Sequence, residues 1–178
     1  MNSDYAFESE RLGFRKWKPS DRAPFAAMNA NPNVMEFFPK PLTREESDAL
    51  VDRIEAHFER TGFGLWVVEV KEHGTFIGLI GLLEVNFDAG FEGMEIGWRL
   101  GKEYWHQGYA TEGAAACLAY GGEVLGLKEI YSFTSIINKP SEAVMKRIGM
   151  KKIKEFDHPL VADGSPLKAH VLYKWENN

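Results

Sequence analysis

The sequence predicts one α/β domain in which helices flank a mixed sheet of about seven strands. Its 178 residues suit a single ordinary domain, and no repeat or low-complexity linker divides them. Period-two and period-four apolar patterns follow one another in the order β-α-α-β-β-β-α-β-α-β-β. Strands and helices interspersed in this way are typical of a mixed sheet covered by helices.

Cap and turn signals give the boundaries of these elements. Thr43 and Glu46 form a capping-box sequence at the start of a helix that ends near Gly62. A stripe of small residues that includes Cys117 and Gly121 predicts a later helix lying close against the sheet. The predicted strands span residues 12–17, 65–71, 75–86, 94–100, 130–137, 150–156 and 169–175, and two later helices span 109–125 and 140–148.

Composition and charge exclude several classes of protein. Hydrophobic residues make up 44% and charged residues 26%, the balance of a globular chain. The net charge of −5 and the lack of a dense Lys/Arg run argue against extended contact with nucleic acid. No apolar run reaches the roughly 20 residues of a membrane span, and the N-terminus has no signal-peptide pattern. The lone Cys117 excludes an intrachain disulfide, so we expect a cytoplasmic protein. The five histidines show no ligand spacing, and no metal site is expected.

The segment from Glu95 to Glu112 carries the strongest chemical signal. A strand ends, a polar loop turns through Gly108, and a helix begins. The first amides of such a helix are unpaired, and together with the helix dipole they favour an anion such as a pyrophosphate. Gly108 lets the backbone approach the ligand, Ala110 avoids a clash, and Thr111 adds a hydroxyl donor. A connection that merely turns the chain is the structural alternative.

These residues resemble the phosphate loop of the GNAT acetyltransferase superfamily. Residues 107–112, Gln-Gly-Tyr-Ala-Thr-Glu, are similar to that loop, although Trp105 stands where Arg or Gln is usual. Asn138 and Ser141, followed by the Gly-Met pair at 149–150, resemble a second motif of the RimJ/RimL-type branch, which acetylates amino termini of ribosomal proteins. The similarity runs from residue 8 to about residue 175 and includes the opening strand.

The resemblance implies a GNAT fold whose two central parallel strands, 94–100 and 130–137, splay apart to hold the pantetheine arm of acetyl-CoA. Backbone groups of Ile96, Gly97 and Trp98 would pair with that arm. For Gly97 the sequence leaves a strand-opening bulge and close packing equally open. The other residues expected to bind the cofactor are Gln107, Gly108, Tyr109, Ala110, Thr111 and Asn138, the last with an ordinary turn role as its alternative.

The resemblance also implies catalytic roles. Glu95 is the candidate base, acting directly or through water, and its alternative is a solvent-facing Glu or a partner of Arg99. Ser141 is the candidate proton donor to the departing thiolate, because Met145 occupies the position of the usual Tyr; its alternative is capping of the helix. Phe37 and Trp66 are candidates for an acceptor pocket, although most such aromatic residues belong to the core.

The acceptor itself is left open by the sequence. The leading hypothesis is the α-amine of a protein N-terminus of the ribosomal-protein type, although the same branch resembles enzymes that act on antibiotics, amino acids and polyamines. A small-molecule amine acetyltransferase and a non-catalytic acetyl-CoA-binding protein are the alternatives. Neither nucleic acid nor membrane is an expected partner, and the sequence does not choose between a monomer and a homodimer.

Overall fold

Most strands form over short apolar or alternating runs of the sequence, and the helices lie between groups of strands. A computed structural model of the chain describes residues 4–88 and 90–177, which form one open mixed sheet of eight strands with four α-helices. The strands are β1 (Phe7–Glu8), β2 (Leu12–Arg15), β3 (Leu65–Val70), β4 (Thr75–Glu84), β5 (Met94–Leu100), β6 (Glu129–Ser135), β7 (Lys151–Asp157) and β8 (Ala169–Glu176). The helices are α1 (Arg22–Ala30), α2 (Arg44–Thr61), α3 (Tyr109–Glu123) and α4 (Lys139–Arg147).

The predicted fold class is confirmed, and the strand count is corrected. The sheet has eight strands instead of about seven, because Phe7 and Glu8 pair with β2 as a two-residue edge strand. Two residues are too few for a period-two pattern to reveal. The predicted capping box is also confirmed, since Thr43 Oγ1 accepts from the Glu46 amide and Gly62 ends α2 in the left-handed conformation at φ 82°.

The sheet opens between its two central parallel strands. The strand order is β1-β2-β3-β4-β5-β6-β8-β7, and β5 with β6 is the parallel pair among antiparallel neighbours. These two strands share a single register pair, Glu95 with Tyr131, although each continues for several residues beyond it. We call the resulting opening, between residues 96–100 of β5 and 132–135 of β6, the splay. It confirms the divergence that the family resemblance implied.

Helix α3 lies against the sheet beside the splay, and glycines set how closely it approaches. A Cβ atom added at Gly121 would stand 2.7 Å from Cδ1 of Ile130 on β6. The Cys117 side chain on the same face of α3 is fully buried, as the small-residue stripe predicted. Burial also raises the pKa of that thiol above its usual value, so the thiol is held in its unreactive form. None of the helices within residues 4–88 and 90–177 is long and apolar enough to cross a bilayer.

Candidate active site

Neighbouring residues of β5 lead to different helices on opposite faces of the sheet. The Trp98 indole Nε1 donates to Ser141 Oγ on α4 at 3.0 Å, whereas Arg99 Nη1 donates to Asn29 Oδ1 on α1 at 2.7 Å. Side chains alternate along a strand, so Glu95, which is in phase with Arg99, lies on the α1 face. The splay therefore has an α4 face, which carries Ser141, and an α1 face, which carries Glu95.

Gly108 begins α3 at the carboxyl end of β5. It adopts φ 81°, a left-handed conformation that favours glycine, and no side chain caps the helix. The helical hydrogen bonds start with the Glu112 amide donating to the Gly108 carbonyl at 3.0 Å. The amides of Tyr109, Ala110 and Thr111 therefore have no partner within the helix, and they point toward its positive end. This is the geometry of an anion site, as the sequence predicts.

Side chains of the loop before Gly108 fix its path. The Trp105 indole donates to the Leu100 carbonyl at 2.9 Å, and the Gln107 amide donates to the Glu103 carbonyl at 2.9 Å. Trp105, which departs from the usual family residue, thus ties the loop to the end of β5. One of the two N–H donors of the Gln107 side chain is thus used to hold the loop.

Arg11 is a further anchor of the α3 start that the sequence analysis missed. Its Nε forms an ion pair with Glu112 Oε2 at 2.6 Å, and its Nη1 donates to the Gln107 carbonyl at 3.0 Å. The guanidinium carbon also lies 4.5 Å from the centre of the Tyr109 ring. Arg11 and Glu112 are 101 residues apart in the sequence, so no local pattern could have paired them.

The edge of β5 that faces the splay offers unpaired main-chain groups. Ser132 Oγ on β6 donates across the gap to the Ile96 carbonyl at 3.0 Å. The N–H and C=O of one strand residue share an edge and alternate along the strand, so Ile96 and Trp98 present theirs to the splay. The main-chain groups of Gly97 point to β4 instead. Of the three predicted pantetheine contacts, Trp98 has main-chain groups that face the splay beyond the last pairing with β6, whereas the Ile96 carbonyl already accepts from Ser132.

Gly97 is explained by neither alternative that the sequence left open. The register between β4 and β5 runs without a shift from Gly78–Leu100 to Glu84–Met94, so there is no bulge at Gly97. A Cβ atom added there would meet only Glu95 Oε1, at 3.9 Å, so close packing is not the reason either. The α1 face above Gly97 is open, which leaves room for a reacting group beside the splay.

Glu95 is a half-buried carboxyl group on this open face. Burial raises the pKa of Glu95 to about 8. Within residues 4–88 and 90–177 it forms no ion pair, so the predicted alternative of a Glu95–Arg99 pair is not found there. An acid with a pKa near neutrality at an open cleft is a candidate general base.

Ser141 and Asn138 divide their roles at the start of α4. Asn138, not Ser141, caps the helix, because Asn138 Oδ1 accepts from the Ser141 amide at 3.3 Å. Asn138 Nδ2 donates to Thr134 Oγ1 at 2.9 Å, so both polar ends of this side chain serve the protein itself. Ser141 Oγ accepts from Trp98 and keeps its own proton available to donate. Met145, fully buried, lies on the same helix.

The two aromatic candidates for the acceptor pocket differ in burial. Phe37 is half-buried in the loop between α1 and α2, beside Phe38, whose ring centre lies 4.2 Å from the Arg99 guanidinium carbon. Trp66 is 1% exposed and packs edge-on against Phe58 and Tyr120. The expectation that Trp66 lines a pocket is therefore corrected. Its ring belongs to the core, because β3 lies inside the sheet with helices packed over that ring.

A cluster of aromatic and imidazole rings extends the α1 face beyond Glu95, and the sequence analysis missed it. The rings of His158 and His170 lie 4.8 Å apart, and Phe133 lies two residues beyond Tyr131, the register partner of Glu95. Burial lowers the pKa of His158 to about 4, so this ring is neutral near pH 7. The signal was present in the alternation of rings on separate strands, but only the sheet order brings them together. The cluster comprises Phe87, Phe91, Phe133, Phe156, His158 and His170.

Comparison with known proteins agrees with this geometry. Residues 11–151 match the family described as the Acetyltransferase (GNAT) domain. The uncharacterized protein YkkB of Bacillus subtilis is 27% identical over 164 residues, which cover 90% of this chain and 95% of that protein. The FsC-acetyl coenzyme A-N(2)-transacetylase of Aspergillus fumigatus is 32% identical over 143 residues, 72% of this chain and 57% of that longer protein.

Solved structures of two different acceptor types share the fold. The ribosomal-protein-S5-alanine acetyltransferase from Vibrio fischeri superposes with a TM-score of 0.76 at 21% identity, covering 97% of this chain and 96% of that one. The spermidine N-acetyltransferase from Vibrio cholerae, solved with CoA and spermine, gives 0.75 at 21% identity, with coverages of 93% and 95%. At this identity the likeness concerns the fold alone.

A splayed mixed sheet beside an uncapped helix start is the arrangement of an acyl-CoA-dependent transferase. The family match over most of the chain makes the assignment definite. The chain belongs to the acetyltransferase (GNAT) domain family and is an acetyl-CoA-dependent N-acetyltransferase.

The residues present fit acetyl-CoA. The side-chain-free Gly108 and the unpaired amides of residues 109–111 suit its diphosphate, and the free edge of β5 suits the amides of its pantetheine arm. Within the described part of the chain, no group of three or more His, Cys, Asp or Glu side chains is placed to hold a metal ion.

Proposed function

We propose that the protein transfers the acetyl group of acetyl-CoA to the α-amine of a protein N-terminus, by direct attack of the amine. The cofactor supplies an acetyl thioester at the splay. The amine enters from the α1 face, where Glu95 accepts its proton directly or through one water molecule. On the α4 face, the Ser141 hydroxyl, oriented by the Trp98 indole at 3.0 Å, delivers a proton to the leaving sulfur.

The positions of Glu95 and Ser141 support these two separate roles. Glu95 and Ser141 lie on opposite faces of the splay, so proton removal from the amine and proton delivery to the thiolate do not compete for one site. The main-chain amide of Trp98, which faces the gap beyond the last pairing of β5 with β6, is available to stabilise negative charge as the amine attacks. Holding both reactants in one slot supplies much of the rate by proximity.

The acid–base chemistry at Glu95 is compatible with an α-amine acceptor. At a pKa of about 8, only about 10% of this carboxyl group is ionised at pH 7. An α-amine with a pKa near ~7.8 is itself roughly 10–20% neutral at pH 7, whereas a lysine amine is neutral in about one molecule in 2500. A base with a pKa of about 8 can serve either amine, and the larger neutral fraction of the α-amine is what favours it as the acceptor. The likeness to a ribosomal-protein acetyltransferase supports a protein N-terminus as its carrier.

A small-molecule amine is the second candidate, and the 32% identity to the FsC transacetylase favours it. The likeness to the spermidine enzyme supports it less, because Arg99 places a positive charge on the acceptor face, where a polycation would be repelled. A cytoplasmic location and a monomeric or dimeric state stay predictions.

Two measurements together test the proposal. The purified chain is given acetyl-CoA and three matched acceptors: a peptide with a free α-amine, the same peptide with a blocked N-terminus and one internal lysine, and spermidine. We expect thiol release with the first acceptor only. Mass spectrometry of protein N-termini from a deletion strain should then show lost acetylation. Unchanged N-termini, combined with faster turnover of spermidine, would contradict the proposal.

A further inference from the structure

Arg99 is held rigidly on the acceptor face without a counter-ion. Its Nη1 donates to Asn29 Oδ1 at 2.7 Å, and its guanidinium carbon lies 4.2 Å from the centre of the Phe38 ring. Its Nε is buried and has no hydrogen-bond partner among residues 4–88 and 90–177. This N–H of the guanidinium therefore has neither a protein acceptor nor free access to water.

Arg15, a buried arginine of the same chain, shows how the protein pairs such a charge with its own carboxylates. Arg15 is 4% exposed and forms ion pairs with both Asp21, at 2.7 Å, and Glu69. The hydrogen bond from Asp21 raises the pKa of Arg15, whereas burial lowers the pKa of Arg99 to about 10. No Asp or Glu of the described residues lies within 4.0 Å of the Arg99 guanidinium. A largely desolvated charge that lacks a counter-ion is costly, and an anion supplied by the substrate would offset that cost.

The partners of Arg99 fix its position before any ligand arrives. Asn29 is 0% exposed, and its Nδ2 donates to Ser47 Oγ on α2 at 2.9 Å. The Asn29 carbonyl also accepts from the Leu42 amide at 2.9 Å. Phe38, on which the guanidinium stacks, is 37% exposed at the rim. The planar fork of an arginine fixed in this way matches the geometry of a carboxylate.

We propose that Arg99 binds a carboxylate of the acceptor, so that the preferred substrate is an N-terminal peptide segment with an acidic side chain near its α-amine. This inference rests on the proposed function and specifies its substrate. Arg99 lies two residues beyond the open position at Gly97 and four beyond Glu95, roughly 7 Å and 13 Å along the strand. An extended peptide spans about 3.3–3.6 Å per residue, which places the acidic side chain at roughly its second to fourth position.

The phosphates of acetyl-CoA are the other anions that Arg99 could bind, but the fold offers them a different site. The unpaired amides that suit a diphosphate belong to the first turn of α3, after Gly108, and α3 packs on the opposite side of the sheet from α1. Loss of the Arg99 charge should therefore change the response to the acceptor and leave CoA affinity within about twofold of wild type.

The test compares two peptides that differ only in one charge. Both have a free α-amine and an amidated C-terminus, and their third residue is either Glu or Gln. With wild-type enzyme and acetyl-CoA, we expect kcat/KM to favour the Glu peptide by about 10- to 100-fold, as a charge-assisted hydrogen bond in a partly buried site gives. In Arg99→Gln this preference should disappear, so that the ratio of the two kcat/KM values is about 1. Arg99→Lys should keep part of the preference.

Arg147→Gln is the matched control, because Arg147 is exposed in the last turn of α4, on the other face; it should keep the wild-type preference. Calorimetry with CoA reports whether each variant is folded. Equal kcat/KM for the two peptides in the wild type would overturn the inference while leaving N-terminal acetylation standing.

If neither peptide reacts, the same comparison is made with an amino acid and its amide. A preference for the amino acid that Arg99→Gln abolishes would uphold the role of Arg99 and overturn the N-terminal function.

Discussion

Glu95 owes its raised pKa to burial. The effect differs from that at Glu142, where a hydrogen bond from Lys139 leads the interactions that lower the pKa to about 2. Two carboxyl groups in one small protein thus differ by several pKa units because one faces an open apolar face and the other faces lysines. Only the first is suited to accept a proton near neutral pH.

The pH dependence of turnover follows from that difference. The α-amine attacks in its neutral form, and Glu95 must be ionised to accept the proton that the attack releases, so log kcat/KM should rise with a slope approaching two below about pH 7. Glu95→Gln removes one of the two groups, and the slope should fall to one with turnover lowered by about 10²-fold or more. The measurement is a pH profile of thiol release. Glu123→Gln, at an exposed position of α3, should reproduce the wild-type profile, and an unchanged slope in Glu95→Gln would remove the base role.

The free energy of unfolding should change with pH in the opposite direction to turnover, because of the same residue. A carboxyl group whose folded pKa lies at about 8, above an unfolded value near ~4.3, binds more protons in the folded state between those limits. The free energy of unfolding therefore falls as pH rises through this window. Glu95→Gln should gain stability over wild type between pH 5 and pH 8.5, measured by urea denaturation. A stability difference that stays constant with pH would contradict the burial account.

Single residues also mark the limit of what the sequence predicts. The capping box at Thr43 was predictable, because both partners lie within four residues and the chemistry is local. The burial of Trp66 was not, since it depends on Phe58 and Tyr120, which come from two different helices. Arg99 could be placed on its strand face from alternation alone, but its bond to Asn29 spans 70 residues.

At the scale of elements, the position of α3 decides whether the phosphate loop and the splay meet. Gly121 is one of the positions that let the helix approach, since a Cβ atom there would stand 2.7 Å from Ile130 Cδ1 in the fully buried core. The stripe that contains Gly121 was recognisable from sequence. Its partner strand was not recognisable from spacing, because β6 follows the helix and pairs with β5, which precedes the helix, and with β8, which follows α4.

Gly121→Val should therefore destabilise the fold by about 1–3 kcal/mol through overpacking. Ala119→Val is the control at an exposed position of the same helix, where it introduces the same β-branched side chain away from the core. The comparison is made by urea denaturation at constant pH. A difference between the two variants below about 0.5 kcal/mol would show that α3 does not depend on close approach at this point.

On the scale of the whole molecule, one sheet separates the two chemical tasks. The parallel pair at its centre opens after the Glu95–Tyr131 register pair, the acceptor face carries Glu95 and Arg99, and the other face carries Ser141. Element order predicted a mixed sheet, but the splay itself was predicted only by family resemblance. Hydrophobic patterns record which side of a strand is buried, and they do not record which strands part.

The central claim is that main-chain amides around Gly108 hold the diphosphate of acetyl-CoA, and calorimetric titration with CoA tests it most directly. Gly108→Val forces a β-branched residue into the left-handed conformation at φ 81° and crowds the approach of the ligand, so affinity should fall by at least about tenfold. Gly126→Val applies the same backbone strain at φ 69°, with no atom within 4 Å of the added Cβ, and should bind CoA like wild type. The account predicts binding heat in the wild type that Gly108→Val weakens and Gly126→Val preserves. Absence of heat in folded wild-type protein, or equal affinity in all three proteins, would contradict it.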